Sequence, residues 1–340
     1  MPKLALSLSS LLLLLPVPAV AQGADTQEAW VASDGSLRAR AAGISLPQTV
    51  AGLSLSKSGE VTNGGKGIDN YAQYLSDDGA VQATLYVYLP SYADASIAAY
   101  MTDRAVADRF GPRTRRTGYE SVALQGQAGR AIRAVYDDAA DGALTTAAAF
   151  VHAGRWLVKL RITGPSERRK EVLAGLDGML ESLRFDNVAA IRPASPARFT
   201  DCPASDDRDA RLTASSPAAA ADVRPVAEIA APFCVRGQVR TAEGSYDVLA
   251  HTGASGGSVI VPVDDAGTVI AFDPARGGKG YQLSIHSVGE TKLFGVYDRV
   301  PSSRQIAQIL DGKDPQTAQA RATAAYAANG EVIVRDGVAN

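Results

Sequence analysis

The chain has 340 residues, in which 34 basic side chains nearly balance 36 acidic ones and the formal net charge is −2. Charges of both signs are interspersed, so the composition gives no reason to expect nucleic acid or an anionic membrane as a partner. Hydrophobic residues make up 46% of the chain, and its length predicts two folded domains.

The N-terminal segment has the three parts of an export signal. Lys3 supplies a positive charge, and an apolar run covers Leu4 to Leu15. Ala19 and Ala21 are the small residues that signal peptidase requires just before its cleavage site. The apolar run is shorter than the ~20 residues that a membrane-spanning helix needs. Residues 1–21 are therefore predicted to be a cleavable signal peptide, and the protein to be periplasmic or secreted, with no transmembrane segment after cleavage.

Residues 44–187 form the first predicted domain. Its helices are predicted from Ser91 to Gly111 and after Ser166, because apolar residues recur along one face of each segment. Alternating patterns and turn residues predict strands at Tyr71 to Ser76, Val81 to Leu89, Ala131 to Tyr136, Thr145 to Val151 and Arg155 to Ile162. The expected fold class is α+β, an antiparallel sheet packed by two helices.

An Ala- and Pro-rich composition predicts a linker over residues 188–232. The two cysteines of the chain are Cys202, inside this linker, and Cys234, just beyond it. An oxidising compartment permits a disulfide between them. It would close a loop of about 33 residues and stabilise the fold by roughly 3–4 kcal/mol in the chain-entropy model. Two free thiols are the alternative.

Residues 233–340 form a second predicted domain that is β-rich and has C-terminal helices. One helix is predicted over Ser302 to Leu310, and an Ala-rich helix from Asp314-Pro315 to Gly330. Six strands are predicted before them, at Val235 to Arg240, Tyr246 to Ala250, Ser258 to Val263, Thr268 to Phe272, Tyr281 to His286 and Lys292 to Tyr297.

Three segments of the first domain resemble the PsbP-like and DcrB-like family of extracytoplasmic proteins. They are the helix from Ser91 to Gly111, the run Phe150 to Leu157, and Leu180 to Phe185 at the end of the second helix. The resemblance covers about residues 44–187. It implies a PsbP-like sandwich and a non-catalytic scaffold or binding module, with no catalytic residues to carry over.

The segment His251-Thr252-Gly253-Ala254-Ser255-Gly256-Gly257 contains two partial catalytic motifs. Gly253-x-Ser255-x-Gly257 fits a nucleophile elbow, and Asp264 or Asp273 and then His286 follow in the order of a catalytic triad. The strand predicted after the motif is, however, where a hydrolase needs a helix.

The same turn resembles that of retropepsin-like aspartic proteases at Thr252 to Ser255. His251 occupies the position where that family has its catalytic aspartate, so the resemblance implies an inactive relative. A glycine-rich turn between two strands is the favoured interpretation. Ser255 remains the one candidate nucleophile.

Other side chains suggest a binding site rather than a catalytic site. Arg113, Arg115 and Arg116 cluster after the first helix, where they offer a patch for an anionic partner or simply a solvated surface. His152 is expected in a solvated hairpin turn. No histidine pairs with another ligand at metal-binding spacing, so no metal and no cofactor is predicted.

These observations favour a non-catalytic exported envelope protein that binds another protein or an envelope component. The alternative is a hydrolase or protease centred on residues 251–257.

Overall fold

The computed structural model describes residues 29–61, 66–204, 206–213, 233–252, 257–275 and 279–337. The described residues are 50% strand and 17% helix, and they form three sheets and three α-helices. The predicted α+β class is therefore wrong, and the protein is mainly β. The predicted signal peptide, residues 1–21, lies outside the described residues.

The described strands and helices have the following bounds, in chain order. Up to the predicted linker they are β1 (Trp30–Ser33), β2 (Ser36–Ala39), β3 (Ile44–Pro47), β4 (Thr49–Val50), β5 (Leu53–Glu60), β6 (Asp69–Leu75), β7 (Gln82–Tyr88), α1 (Ala95–Phe110), β8 (Arg115–Leu124), β9 (Gln127–Ala139), β10 (Leu144–Ala153), β11 (Trp156–Pro165), α2 (Arg169–Ser182) and β12 (Arg184–Phe185). Beyond it they are β13 (Thr200–Asp201), β14 (Phe233–Arg240), β15 (Ser245–His251), β16 (Val259–Pro262), β17 (Val269–Pro274), β18 (Tyr281–Ser287), β19 (Glu290–Tyr297), α3 (Ser303–Leu310), β20 (Ala322–Tyr326) and β21 (Val332–Asp336).

The first part of the chain is built on an eight-stranded antiparallel sheet. Its strand order is β4-β5-β6-β7-β11-β10-β9-β8, and a small sheet of order β1-β2-β3-β12 accompanies it. The five strands predicted here are confirmed as β6, β7, β9, β10 and β11. Helix α2 packs on one face of the large sheet through Val172, Leu176 and Met179, as its apolar stripe predicts.

The unpredicted strands explain the error in fold class. β5 reads Leu-Ser-Leu-Ser-Lys-Ser-Gly-Glu, in which the apolar alternation stops after Leu55. β8 reads Arg-Arg-Thr-Gly-Tyr-Glu-Ser-Val-Ala-Leu, which lacks the sustained alternation from which a half-buried strand is predicted. β8 is an edge strand, where polar residues are tolerated. The structure therefore contains strands that the hydrophobic pattern of the sequence does not predict.

Helix α1 lies between the two large sheets. Its Ala95, Ala98 and Ala99 pack against the eight-stranded sheet, while Ile97 and Met101 pack on the other side against residues of β14 to β17. The helix is capped by Asp94, whose carboxylate accepts from Ser96 N at 2.7 Å, and not by the predicted Ser91. α1 therefore joins the two parts of the molecule.

The second part is a nine-stranded sheet in which the strands β13 to β21 lie in chain order. The six predicted strands are confirmed as β14 to β19, and the first C-terminal helix as α3. Ser302 and Gln305 form a reciprocal capping box at the start of that helix.

The predicted Ala-rich helix from Asp314-Pro315 to Gly330 is wrong. A single 3-10 turn covers Pro315–Thr317, and β20 and β21 follow it as a hairpin. Ala322, Ala324 and Tyr326 alternate with partly exposed neighbours, and they pack with Ile68 in the main core. Tertiary packing on a two-residue period overrides the intrinsic helix preference of alanine here.

The linker region contributes structure where it is described. β13 pairs in parallel with β14, and the Sγ atoms of Cys202 and Cys234 lie 1.98 Å apart, at disulfide distance. Leu212 forms a bridge to Tyr297. Residue 205 and residues 214–232 lie outside the described part of the chain. A disulfide is compatible with an exported protein.

Candidate ligand-binding site

A pocket of about 410 Å³ opens between the C-terminal end of α1 and the eight-stranded sheet. We call it the arginine pocket, because two arginines line it. The lining residues are Gln73, Ala80, Gln82, Thr84, Tyr86, Arg109, Phe110, Leu144, Arg161, Thr163 and Gly164.

The alternation of β11 brings Arg161 into the arginine pocket. Leu160 and Ile162 turn to the opposite face and are buried in the core with α2. Arg161 lies opposite Thr84 of β7, and Thr163 lies opposite Gln82. One strand thus supplies apolar residues to the core and polar residues to the pocket.

Phe110 brings the two arginines together. The guanidinium carbon of Arg109 lies 5.4 Å from the centre of the Phe110 ring, and that of Arg161 lies 5.5 Å from it. Both distances suit a cation–π contact. Arg109 is also in the last turn of α1, where a positive charge interacts favourably with the helix dipole. The aromatic ring therefore positions both cations at the same pocket.

The pocket has positive charge that its lining does not neutralise. None of the lining side chains is acidic, and neither Arg109 nor Arg161 has a salt bridge among the described residues. Burial lowers the pKa of Arg161, and the charge of Arg109 lowers it further. The charge of Asp265 acts on this pKa in the opposite direction, and the Asp265 carboxylate forms a salt bridge with Lys159 at 2.9 Å. An anion bound in the pocket would neutralise part of this positive charge.

Polar side chains without charge surround the two arginines. Gln73 and Gln82 present amides, and Thr84 and Thr163 present hydroxyl groups. The lining contains no cysteine, histidine, aspartate or glutamate, so it offers none of the usual nucleophiles or general bases apart from hydroxyl groups with no adjacent base. The amides and hydroxyl groups can donate hydrogen bonds to an anion beside the arginines.

The predicted basic patch is partly neutralised. Arg115 forms a salt bridge with Asp138 at 2.6 Å, and Arg116 forms one with Asp103 at 3.0 Å. Arg113 is exposed. The patch stays a prediction, and two of its three charges are paired, whereas Arg109 and Arg161, which were not predicted as site residues, have no salt bridge among the described residues.

The triad order noted in the sequence can be checked only in part among the described residues. Ser255 lies among residues 253–256, outside the described part of the chain. His286 pairs opposite Val269, four positions along β17 from Asp273, a separation of roughly 13 Å at the rise of a strand. The carboxylate of Asp264 caps its own turn by accepting from Ala266 N and Thr268 N.

His286 and His152 are both buried in the fold. His286 is buried between Ser91, Ser284 and Thr291, with Ser91 Oγ 3.1 Å from Nδ1. His152 is also buried, which makes the expected solvated turn wrong. Among the described residues, no group of three histidine, cysteine, aspartate or glutamate side chains is placed to hold a metal ion.

Comparison with known proteins adds no relative. The chain matches no protein-family model and no curated protein. Within the described residues, none of the helices has the length and apolar character needed to cross a membrane.

Proposed function

We propose that the protein is an exported, non-catalytic binding protein, and that the arginine pocket holds the oxyanion of an envelope component. The observation that carries this proposal is the pair of unpaired guanidinium groups, of Arg109 and Arg161, on the Phe110 ring in a pocket without acids. The predicted signal peptide supports the location, and the disulfide is compatible with it.

The charge of the pocket favours an anionic ligand. A partly buried guanidinium is normally compensated by a carboxylate, as Arg133 is by Asp177 at 2.8 Å. Arg161 lacks such a partner among the described residues and faces a second cation instead. A phosphate, sulfate or carboxylate group accepts hydrogen bonds from guanidinium forks in a fixed geometry.

The size and lining of the pocket favour a small polar ligand. A volume of about 410 Å³ lies within the range of small-molecule sites. The amides of Gln73 and Gln82 and the hydroxyl of Thr84 supply donors and acceptors beside the cations. These groups suit the hydroxyl-rich body of an anionic saccharide headgroup, with the charged substituent on the arginines.

Calorimetric titration of the mature chain with inorganic phosphate and pyrophosphate tests the proposal. We expect saturable binding that weakens as salt rises, with pyrophosphate binding more tightly because it reaches both guanidinium groups. Arg161→Met is expected to weaken pyrophosphate binding by about tenfold or more, since a hydrogen bond to a charged group contributes about 1.5–3 kcal/mol.

Arg113→Met is the matched control, because it removes the same charge from an exposed position away from the lining of the pocket. It is expected to leave binding within twofold of that of the unaltered chain. Equal losses in the two variants would indicate nonspecific attraction and would overturn the assignment of the pocket.

A further inference from the structure

A second pocket, of about 330 Å³, lies where the three sheets meet. The β2–β3 turn contributes Gly43, the β10–β11 turn contributes Gly154 and Arg155, and the β20–β21 turn contributes Asn329 and Gly330. We call it the junction pocket. It shares no lining residue with the arginine pocket.

Arg155 is the one charged side chain that lines the junction pocket, and no acid lines it. Its Nη2 atom is buried and has no hydrogen-bond partner among the described residues. The ring of Tyr326 lies beside it, with the ring centre 6.0 Å from the guanidinium carbon. Burial lowers the pKa of Arg155, which indicates a cation that has lost hydration without gaining a counter-charge.

Three of the turns that line the pocket contain a glycine. Gly43, Gly154 and Gly330 all have positive φ, at 63°, 64° and 95°. A Cβ at Gly330 would lie 3.5 Å from Arg155 Nη1, so the guanidinium rests directly against that turn. A Cβ at Gly43 would instead meet the carboxylate of Asp186, which forms a salt bridge with Arg38. Three turns whose backbone favours glycine thus line the pocket, and one of them lies directly against the cation.

The remaining lining is mainly apolar. Trp156 and Phe185 form aromatic walls, while Asn187 and Asn329 add two amides. A cation at one point of an apolar pocket with few polar groups is typical of a site that orients a ligand by a single charged end.

We propose that the junction pocket binds a carboxylate, carried by a small apolar acid or by the C-terminus of a peptide, with the carboxylate on Arg155 and the apolar body against Trp156. A planar guanidinium matches a carboxylate by paired hydrogen bonds. Because the pocket is lined by parts of all three sheets, the ligand also links them.

The two tryptophans of the chain make a direct test possible. Trp156 lines the pocket and Trp30 does not, so a Trp30→Phe chain reports on the pocket through a single tryptophan. We expect N-acetylalanine to change its fluorescence saturably and the uncharged N-acetylalaninamide to have no such effect. Arg155→Met is expected to weaken binding by about tenfold or more, and Arg155→Lys by less.

Equal responses to the acid and the amide, or unchanged binding by Arg155→Met, would overturn the proposal. Calorimetry with the unaltered chain gives the same comparison if Trp30→Phe does not fold. Tighter binding of acetyl-tetraalanine than of N-acetylalanine assigns the site to peptide C-termini, and equal affinity assigns it to small acids. Arg161→Met is expected to leave these results unchanged, which separates this site from the arginine pocket.

Discussion

Arg161 shows how one side chain can indicate a ligand. Removing a guanidinium from water is unfavourable unless charge or hydrogen bonds compensate for it. Elsewhere the protein supplies that compensation, as at Arg168, which contacts both Asp78 and Glu171. At Arg161 the neighbours are Phe110 and a second arginine. An exclusively structural position would gain stability from an acid here, so the arrangement favours an anion supplied from outside.

Phe110→Leu tests the positioning of the two cations. Each cation–π contact contributes about 0.5–1 kcal/mol at a partly exposed site, so losing both is expected to weaken pyrophosphate binding by up to about 1–2 kcal/mol, roughly fivefold to thirtyfold. The measurement is calorimetric titration. Phe110→Tyr retains the ring and is expected to bind normally. Unaltered affinity of the leucine variant would show that the ring has no positioning role.

The sequence reveals only part of this site. Alternation in β11 places Lys159 and Arg161 on one face of a predicted strand, where Lys159 is buried and Arg161 is half-buried. Which of the two cations is neutralised depends on Asp265, which lies 106 residues away and bonds to Lys159. Long-range pairing of this kind has no local pattern, so the unpaired cation is found only in the folded chain.

Helix α1 connects the two large sheets of the molecule through contacts on two of its faces. Its alanine face lies close to the eight-stranded sheet, and its Ile97 and Met101 face contacts the nine-stranded sheet. Polar contacts accompany the apolar ones: Thr102 donates to Asp265 at 3.1 Å, and Arg104 forms a salt bridge with Asp247 at 3.1 Å. The end of the same helix supplies Arg109 and Phe110 to the arginine pocket.

Ala99→Leu tests this packing. Ala99 is fully buried, so a larger side chain must displace the sheet or the helix, and we expect a loss of about 1–3 kcal/mol of unfolding free energy. Ala107→Leu lies on an exposed position of the same helix and is expected to change it by less than about 0.5 kcal/mol. Urea unfolding measures both. Similar values for the two variants would contradict the sandwiched position of α1.

Elements with strong local signals are predicted well, and those set by tertiary contacts are not. The hairpin of β10 and β11 and the helix α3 have local signals in the sequence, and both are found where expected. β20 is rich in alanine and takes its strand form from pairing with β19 and β21. Helix propensity alone therefore gives the wrong structure for the C-terminal segment.

At the scale of the whole molecule, His286 lies at the contact between the two large parts. Ser91 precedes α1 and bonds to His286 Nδ1, while Ser284 Oγ lies 3.0 Å from Nε2. The Tyr92 ring packs against the imidazole edge to face. Burial lowers the pKa of His286 to about 4, so the ring is neutral in the folded protein near pH 7.

His286→Gln tests this contribution through its pH dependence. The unfolded histidine, with a pKa of 6.5, takes up a proton before the folded one does, so stability is lost as pH falls from about 6.5 to about 4. The expected loss is about 3 kcal/mol relative to the glutamine variant, which does not titrate. Urea unfolding at a series of pH values measures it, and parallel curves for the two chains would contradict it.

The binding claim is tested most directly by diffraction from crystals grown with selenate, a tetrahedral oxyanion with an anomalous signal. We predict an anomalous peak in the arginine pocket, within about 4 Å of the Arg161 guanidinium, and its loss in crystals of Arg161→Met. Selenate bound only at the exposed Arg113, with none in the arginine pocket, would contradict the account.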